Sequence, residues 1–359
     1  MPLSAATGPG WVANGAVCCN RSMRIGLVAP PWAPVPPHLY GGIELVVDRL
    51  AQGFAKAGHD VVLFTTGDST CPVPKRWFLE ESEGVRIGFT VPEVRHVLAA
   101  YESLRDVDLI HDHTVLGPII SDHYTELPVV TTIHGELNGE LRDIYERIAP
   151  KVAVVAVSHA QRKPAPELPV ARVIHHGIDA ADFPIGKGDG GYLLFLGRLS
   201  PDKGAGRAID VALKANVPLL LAGKMREPWE RDYFEATVAP FLSEQIQYLG
   251  EVGHDRKLEL LAGARALVFP IRWNEPFGLV MIEAQACGTP VLAFPEGAAP
   301  EVIAHGRTGF LCEDEADMAG RVLELDSLDR AACRAAVEGY FSTERMVDEH
   351  LELFEELLS

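Results

Sequence analysis

The sequence predicts an α/β protein made of two doubly wound units in tandem. Two observations indicate this class. Short, continuous apolar runs alternate with amphipathic helical patterns, and the alternation starts a second time after residues 179–191. Apolar strands separated by helices are typical of a parallel sheet that is covered on both faces. At 359 residues, the chain is long enough for two such domains.

The first unit is expected to occupy residues 23–178. Its first strand is predicted at 25–29, and the following helix has apolar residues at helical spacing up to Gly58, a C-cap candidate. Residues 1–22 lack the basic start and apolar run of a signal peptide, and we expect a disordered or non-native leader there. The remaining strands are predicted at 61–64, 108–111, 129–133, 152–157 and 172–175.

Residues 179–191 are rich in turn-forming residues and are expected to be the linker and hinge between the units. They contain Gly186-x-Gly188-x-Gly190, which has the look of a nucleotide loop. The glycine fingerprint of a dinucleotide site follows a strand, whereas this run precedes one. We therefore interpret it as part of the linker.

The second unit is expected at residues 192–342, and a last helix is predicted within 343–359 that crosses back to the first unit. Two such units facing one another would leave a cleft at the carboxyl ends of their strands, where open α/β sheets usually bind ligands. Strands of the second unit are predicted at 192–196, 219–222, 246–249, 266–269 and 291–294, and helices at 207–216, 255–264 and 279–287.

Charge and cysteine content exclude several classes of function. The chain has 32 Lys and Arg against 50 Asp and Glu, a formal charge of −18. Such a chain repels nucleic acid and anionic membranes, so we expect no nucleic-acid partner. The six cysteines are scattered without a CxxC pair, which favours a reducing, cytoplasmic location. No apolar run approaches the ~20 residues of a membrane helix.

Two strand-to-helix turns occupy equivalent places in the two units. Gly41 and Gly42 follow the first strand, where paired glycines either let backbone N–H groups approach an anion or simply permit a tight turn. The equivalent turn of the second unit runs from Gly197 to Gly204. Its Arg198 and Lys203 either converge on one diphosphate or form a solvated surface pair.

Two carboxylates bracket an apolar run near the end of the second unit. Pro276 is a natural helix-start residue, so Glu275 is expected just before a helix, with unpaired N–H groups on residues 277–279. Glu283 would then lie about two turns into that helix. A carboxylate there is costly unless it accepts hydrogen bonds, for example from sugar or ribose hydroxyls. Alternatively, Glu275 interacts only with the helix dipole and Glu283 faces water.

Three further groups bear on metal binding or catalysis. Two pairs of histidines, one within residues 111–113 and one at 175–176, lie at strand ends. Neither pair has a third metal ligand at a recognisable spacing. Asp106-Val107-Asp108 matches the Asp-x-Asp pattern of metal-dependent sugar transferases. It leads into a strand, however, and we interpret these aspartates as residues that cap or solvate a helix end. We therefore expect no metal and no cofactor. His134 ends a strand and is either functional or part of a polar network.

Taken together, these residues resemble the retaining glycosyltransferases of family 4, which have the two-domain GT-B fold. The resemblance extends over roughly residues 23–358. The positions that carry it are the Gly41-Gly42 loop, His134, Ser158, the segment His176-Gly177-Ile178-Asp179, Gly197-Arg198-x4-Lys203-Gly204, and Glu275-x7-Glu283.

The resemblance implies a role for each position. Arg198 and Lys203 would bind the diphosphate of a nucleotide-sugar donor in place of a metal. Glu275 would contact the donor sugar, and Glu283 would hold the ribose. Three further sets of donor contacts would come from His134 beside the transferred sugar, from the backbone near Glu251 and Val252 at the base, and from backbone groups of Phe277, Gly278 and Leu279. Gly41 and Gly42 would lie near the diphosphate of the donor or near the acceptor.

The family's activity is hexosyl transfer with retention of anomeric configuration and without a metal. A UDP-sugar is the favoured donor, with GDP-mannose next, and the acceptor is expected to be a small molecule, a glycan or a lipid-linked group. Two alternatives stay open on the same fold: a nucleotide-sugar epimerase or hydrolase, and a non-catalytic nucleotide-sugar sensor.

Overall fold

The structure is a computed structural model that describes residues 22–39 and 41–359. The leader expected at residues 1–22 therefore lies outside the described residues, apart from Ser22. The described chain forms two compact units. One comprises Ile178–Ser342, and the other comprises the residues up to Gly177 together with Thr343–Ser359.

The N-terminal unit contains a seven-stranded parallel sheet in the order β3-β2-β1-β4-β5-β6-β7. Its strands are β1 (Arg24–Val28), β2 (Asp60–Thr65), β3 (Lys75–Trp77), β4 (Leu109–Asp112), β5 (Val129–Ile133), β6 (Ala153–Ala156) and β7 (Val170–Val173). Its first five helices are α1 (Gly42–Lys56), α2 (Thr90–Ser103), α3 (Gly117–Tyr124), α4 (Gly139–Ile148) and α5 (His159–Arg162).

Most of these strands follow the predicted apolar runs because they are buried on both faces, as in β1 and β6. Two differences stand out. The last strand begins at Val170 and ends before His175, so it is shifted from the expected 172–175. The edge strand β3 has no apolar run, and its Trp77 is exposed, so periodicity could not reveal it.

The C-terminal unit contains a six-stranded parallel sheet in the order β10-β9-β8-β11-β12-β13. Its strands are β8 (Leu193–Leu196), β9 (Leu219–Ala222), β10 (Ile246–Tyr248), β11 (Ala266–Phe269), β12 (Val291–Ala293) and β13 (Gly309–Leu311). Its helices are α6 (Ala205–Ala215), α7 (Pro228–Thr237), α8 (His254–Gly263), α9 (Leu279–Ala286), α10 (Ala299–Val302), α11 (Glu315–Arg321) and α12 (Arg330–Gly339). The prediction of two parallel α/β units is confirmed.

Each sheet reverses its strand order at one place. In the N-terminal sheet, β1 lies between β2 and β4, and in the C-terminal sheet, β8 lies between β9 and β11. Loops that follow the two strands at such a switch point leave the same edge in opposite directions and open a crevice for ligands. The loops after β8 and β11 are therefore expected to meet at one site.

The segment 179–191 differs from the expected linker because it is bonded to the C-terminal unit. The backbone N–H groups of Gly186, Gly188 and Gly190 donate to carbonyls of Cys287, Ala262 and Gly263, at 2.9, 3.2 and 3.0 Å. The chain leaves the N-terminal unit earlier, between Gly177 and Ile178. A turn-rich composition does not distinguish a free segment from one laid along a domain surface.

The last helix, α13 (Thr343–Leu358), belongs to the N-terminal unit. Its apolar face packs on α1, where the rings of Phe54 and Phe354 lie 5.4 Å apart. Arg172 on β7 adds an ion pair to Glu352 at 2.9 Å. Among the described residues, no helix is long and apolar enough to cross a membrane.

The packing of α13 on α1 depends on the absence of a side chain at Gly53. A Cβ there would lie 2.3 Å from Cγ2 of Val347. We expect Gly53→Ala to lower the free energy of unfolding by about 1–3 kcal/mol, the usual cost of overpacking. Urea titration measures this change.

The matched control is Gly320→Ala in α11, where the position is exposed and a Cβ would meet nothing within 4 Å. This variant should be neutral, or more stable by up to about 1 kcal/mol through helix propensity. Equal effects of the two substitutions would contradict the proposed tight contact between α1 and α13.

Candidate functional site

The loop Gly197–Gly204, which follows β8, carries the two predicted cations. Nη1 of Arg198 lies 3.2 Å from Oε1 of Glu230, and its Nη2 lies 3.5 Å from Oδ2 of Asp202. Glu230 is 1% exposed, and its other oxygen accepts hydrogen bonds from backbone N–H groups at the start of α7. A buried carboxylate that is itself held by a helix end therefore orients the guanidinium of Arg198.

The segment Pro270–Gly278, which follows β11, brings Glu275 to Lys203. Nζ of Lys203 forms an ion pair with Oε2 of Glu275, and both side chains are only 12% exposed. The same ammonium lies 4.5 Å from the ring centroid of Trp273, a favourable cation–π position. The structure thus joins two residues that lie 72 positions apart in the sequence.

The backbone of Glu275 is held on both sides. Its N–H donates to the carbonyl of Trp273 at 2.9 Å, and its carbonyl accepts from Ala298 at 3.0 Å. A Cβ at Gly297 would lie 2.5 Å from the backbone nitrogen and oxygen of Glu275, so only glycine permits this approach. The position of the carboxylate is consequently set by the loop after β12 as well as by its own segment.

Arg207, which sequence reasoning did not single out, connects the two loops. Its Nε donates to the carbonyl of Pro270 at 2.6 Å, and its Nη2 donates to the carbonyls of Pro201 and Asp202 at 3.0 and 3.1 Å. Arg207 lies on α6, and within the described part of the chain its guanidinium bonds backbone groups only. No sequence motif marks Arg207, because every residue type has a backbone carbonyl and the partners of the guanidinium therefore leave no pattern in the sequence.

Pro276 is not the first residue of the helix after Glu275, and this corrects two predictions. α9 starts at Leu279, as the helical pattern over residues 279–287 predicts, with Gly278 as its N-cap at φ 81°. The bonds of Glu275 to Trp273 and Ala298 keep the preceding residues out of helical conformation. Glu275 therefore precedes the helix by four residues, and Glu283 is its fifth residue, only about one turn in. The side chain of Phe277 is buried in the core.

Glu283 is buried and has its own cationic partner. Its Oε1 lies 2.6 Å from Nζ of Lys257 on α8, a residue that no sequence motif marks. The turn that carries Glu251 and Val252 lies between β10 and α8, at the same carboxyl edge of the sheet. Glu283 thus sits in an ion pair separate from that of Glu275.

The candidate residues of the N-terminal unit also lie at the carboxyl edge of their sheet. Gly41 is the N-cap of α1, which begins at Gly42, so the predicted helix N-terminus after β1 is confirmed. His134 follows β5, and its Nε2 lies 2.9 Å from Nδ1 of His113 at the end of β4. Its ring also stacks on that of His176, with centroids 5.6 Å apart.

These rings belong to a row of five histidines, which we call the histidine row: His350, His111, His113, His134 and His176. Burial lowers the pKa of every member, to about 4 for His350 and about 3 for His134. All five are therefore neutral near pH 7. In the described part of the chain, no group of three or more His, Cys, Asp or Glu is arranged to hold a metal ion.

The Asp-x-Asp pattern lies at the opposite edge of the N-terminal sheet, before β4. Asp106 pairs with Arg76 at 2.8 Å and with Arg24 at 3.1 Å, and its hydrogen bond to Arg76 lowers its pKa to about 2. Oδ2 of Asp108 accepts from the backbone N–H of Arg24 at 2.7 Å. These carboxylates secure the amino ends of β1 and β4.

The histidine row makes stability depend on pH. Because burial lowers these pKa values, the unfolded chain binds more protons once the pH falls below about 6.5, the ordinary histidine pKa. Stability is therefore complete above that pH and is lost as the pH falls toward the folded pKa values, by about 1.4 kcal/mol per pH unit for each such histidine.

We expect His350→Asn to weaken this acid destabilisation between pH 6.5 and 5, since the asparagine amide can donate to the Met346 carbonyl as Nδ1 does but does not titrate. Urea titrations at several pH values measure the slope. His123→Asn, at an exposed position on α3, is the control and should keep the slope of the wild type. An unchanged slope in His350→Asn would contradict the prediction.

Comparison with known proteins gives two family matches that follow one another along the chain. Residues 40–182 match Glycosyltransferase Family 4, and residues 178–335 match Glycosyl transferases group 1. Together the matches extend from residue 40 to residue 335 and cover most of both units.

Curated relatives agree with this assignment. The phosphatidyl-myo-inositol mannosyltransferase of Mycolicibacterium smegmatis is 28% identical over 333 residues, with 82% of each chain covered. The glycogen synthase of Mycobacterium tuberculosis is 29% identical, with 88% of each covered. Their names show that glycosyltransferases with different products are similar to this chain.

Solved structures show the same fold. A glycosyltransferase involved in avilamycin A biosynthesis superposes with a TM-score of 0.70 at 26% identity, covering 94% of this chain and 98% of the other. A protein of Anabaena in complex with UDP and glucose superposes with a TM-score of 0.75 at 19% identity, covering 93% and 100%. The chain therefore belongs to the family 4 glycosyltransferases and has their GT-B fold.

Proposed function

We propose that the protein is a retaining hexosyltransferase that moves a hexose from a nucleoside diphosphate sugar to an acceptor hydroxyl without a metal. One observation carries the proposal. In a chain of charge −18, the loop after β8 at the switch point of the C-terminal sheet carries both Arg198, held by Glu230, and Lys203, paired with Glu275. A UDP-sugar is the favoured donor, and GDP-mannose is next.

The cations act on the leaving group. Breaking the bond between sugar and phosphate leaves negative charge on the nucleoside diphosphate, and fixed positive groups at that position stabilise the transition state. The fork of Arg198 suits two phosphate oxygens, and Lys203 supplies a point charge. Glu230 holds Arg198 in place before the donor arrives, so little reorganisation accompanies the reaction.

Lys203 and Glu275 would exchange partners when the donor binds. In the structure, the ammonium is neutralised by the carboxylate. A diphosphate that approaches Lys203 competes with Glu275 for it, and the released carboxylate oxygen can then accept from hydroxyls of the sugar. Binding of the donor thus turns one internal ion pair into two contacts with the substrate.

Glu283 would bind the other end of the donor. Its buried carboxylate accepts hydrogen bonds, and the ribose offers two hydroxyl donors. Lys257 pairs with this carboxylate and orients it in the apolar environment of α9. The neighbouring turn at Glu251 and Val252 offers backbone groups for the base.

The N-terminal unit would supply the acceptor side. Gly41 and Gly42 place a helix N-terminus at the carboxyl edge of its sheet, and His134, which would contact the transferred sugar, lies at the same edge. The acceptor is proposed to be a small molecule, a glycan or a lipid-linked group, since the named relatives differ in this respect. The four described cysteines are free and buried, which supports a reducing, cytoplasmic site of action.

Calorimetry with UDP tests the diphosphate site. Arg198→Ala and Lys203→Ala should each weaken binding about 10- to 100-fold, because each removes a charge-assisted hydrogen bond. Lys214→Ala on α6 is the control, because the ammonium of Lys214 pairs with Asp210 at the surface. The UDP affinity of this variant should equal that of the wild type. Failure to bind UDP, GDP or ADP, or binding unaffected by both loop variants, refutes the proposal.

The two carboxylates should differ in what they control. Glu283→Gln should weaken UDP binding about tenfold, the loss of one strong hydrogen bond. Glu275→Gln should leave UDP affinity unchanged or raised, because it removes a competitor for Lys203, while it lowers kcat for transfer. Calorimetry and a UDP-release assay separate the two effects. If both variants lose nucleotide affinity to the same extent and kcat is unchanged in both, this division of roles is wrong.

The same assay distinguishes the alternative reactions. A panel of nucleotide sugars, screened for thermal stabilisation, first identifies the donor. Rapid consumption of that donor without an acceptor would favour a hydrolase or epimerase. If Glu275→Gln leaves every measured response of the protein to the nucleotide sugar intact, a sensor is favoured. Release of UDP that requires an acceptor supports the transferase.

A further inference from the structure

His113 and His134 share a hydrogen bond, and the surrounding atoms determine which of the two rings donates. Nδ1 of His113 and Nε2 of His134 lie 2.9 Å apart. Burial keeps both rings neutral by lowering their pKa values. Each neutral imidazole has one N–H and one bare nitrogen, so one of these two atoms donates and the other accepts.

The other nitrogen of His113 decides which ring donates. His113 is 3% exposed, and its Nε2 is buried without a hydrogen-bond partner in the described chain. If Nδ1 accepted from His134, the proton of His113 would lie on Nε2 as a buried donor with no acceptor, at a cost of about 1–3 kcal/mol. If Nδ1 donates, only a bare lone pair is buried there.

Two other histidines of the same unit show that this fold tolerates a buried ring nitrogen that has neither a proton nor a hydrogen-bond partner. Nε2 of His96 bonds the carbonyl of Ala29 at 2.9 Å, and Nδ1 of His350 bonds the carbonyl of Met346 at 2.7 Å. A carbonyl only accepts, so the bonded nitrogen carries the proton in both. The remaining nitrogen of each ring is buried without a partner among the described residues and is therefore bare.

The ring of His134 is also held in orientation. It bonds His113 on one side and stacks on His176, with an angle of 18° between the planes. His113 is anchored in turn, because its backbone N–H donates to the carbonyl of Val28 at 3.0 Å and its ring lies 4.1 Å from that of His111. His134 itself is only partly buried, so its Nδ1 is the nitrogen left for a ligand.

We propose that His113 is a positioning residue that donates from Nδ1 to Nε2 of His134 and thereby fixes His134 as the Nδ1–H tautomer. His134 then offers an N–H donor to an oxygen of the transferred sugar and does not act as a base through Nε2. The identity of that oxygen rests on the proposed function, whereas the tautomer rests on the contacts of the N-terminal unit alone. No bond is made or broken in this role.

Nuclear magnetic resonance of the full chain with ¹⁵N-labelled histidine tests the tautomer directly. Long-range ¹H–¹⁵N spectra distinguish protonated from bare ring nitrogens, and the signals of His134 are identified by their loss in His134→Gln. We expect the proton of His134 on Nδ1 at pH 7.5. A proton on Nε2 overturns the inference, whatever the activity of the protein.

Two variants test the positioning role. In His113→Asn the amide nitrogen takes the place of Nδ1 and can still donate, whereas His113→Leu cannot. We expect the leucine variant to lose about tenfold or more in kcat, the equivalent of one hydrogen bond, with UDP affinity unchanged. The asparagine variant should recover most of kcat and keep the His134 proton on Nδ1. Equal losses in both variants, or none in the leucine variant, overturn the role.

The outcomes separate this inference from the proposed function. If UDP does not bind but the proton lies on Nδ1, the function fails and the tautomer stands. If transfer proceeds normally with the proton on Nε2, the function stands and this inference fails. Where the leucine variant does not fold, the spectrum of the wild type still decides the tautomer.

Discussion

The parallel pairing of β8 with β11 is the contact on which the candidate donor site depends. Leu193 pairs with Ala266, and Leu194 pairs with Leu267, although β9 and β10 lie between the two strands in the sequence. The loops that follow these strands consequently leave the sheet side by side. Lys203 meets Glu275 there, and the backbone bonds of Arg207 hold the loops together. A different strand order would separate the two charges.

Pairing of charges inside the C-terminal unit explains how an acidic protein can keep cations ready for an anionic ligand. Arg198, Lys203 and Lys257 each face a carboxylate of the same unit. A charge with a partner costs less to bury than an isolated one, and a fixed geometry requires little reorganisation when a ligand arrives. In the proposed donor complex, the carboxylate partner is released or shared when the ligand binds, and this exchange links ligand affinity to the carboxylates.

The N-terminal unit uses neutral groups where the C-terminal unit uses charges. Burial disfavours the protonated form of each histidine in the row, so these rings act through hydrogen bonds of fixed direction and through stacking. One ring, that of His350, comes from α13, so the last helix of the chain both packs on α1 and completes this row. Stability below neutral pH and the orientation of His134 thus depend on the same buried side chains.

The sequence by itself determined the succession of buried strands, because most strands that are buried on both faces of a sheet are largely apolar runs. The predicted bounds of β5, β9 and β11 match those observed. It also singled out Arg198, Lys203, Glu275 and Glu283, since basic residues in a strand-to-helix turn and acids beside an apolar run are chemically conspicuous. Only the tertiary structure decided their partners Glu230 and Lys257, the exclusion of Pro276 from α9 and the docking of residues 179–191. Local periodicity reports burial, whereas a partner is set by strand order and by backbone bonds between segments that are remote in the sequence.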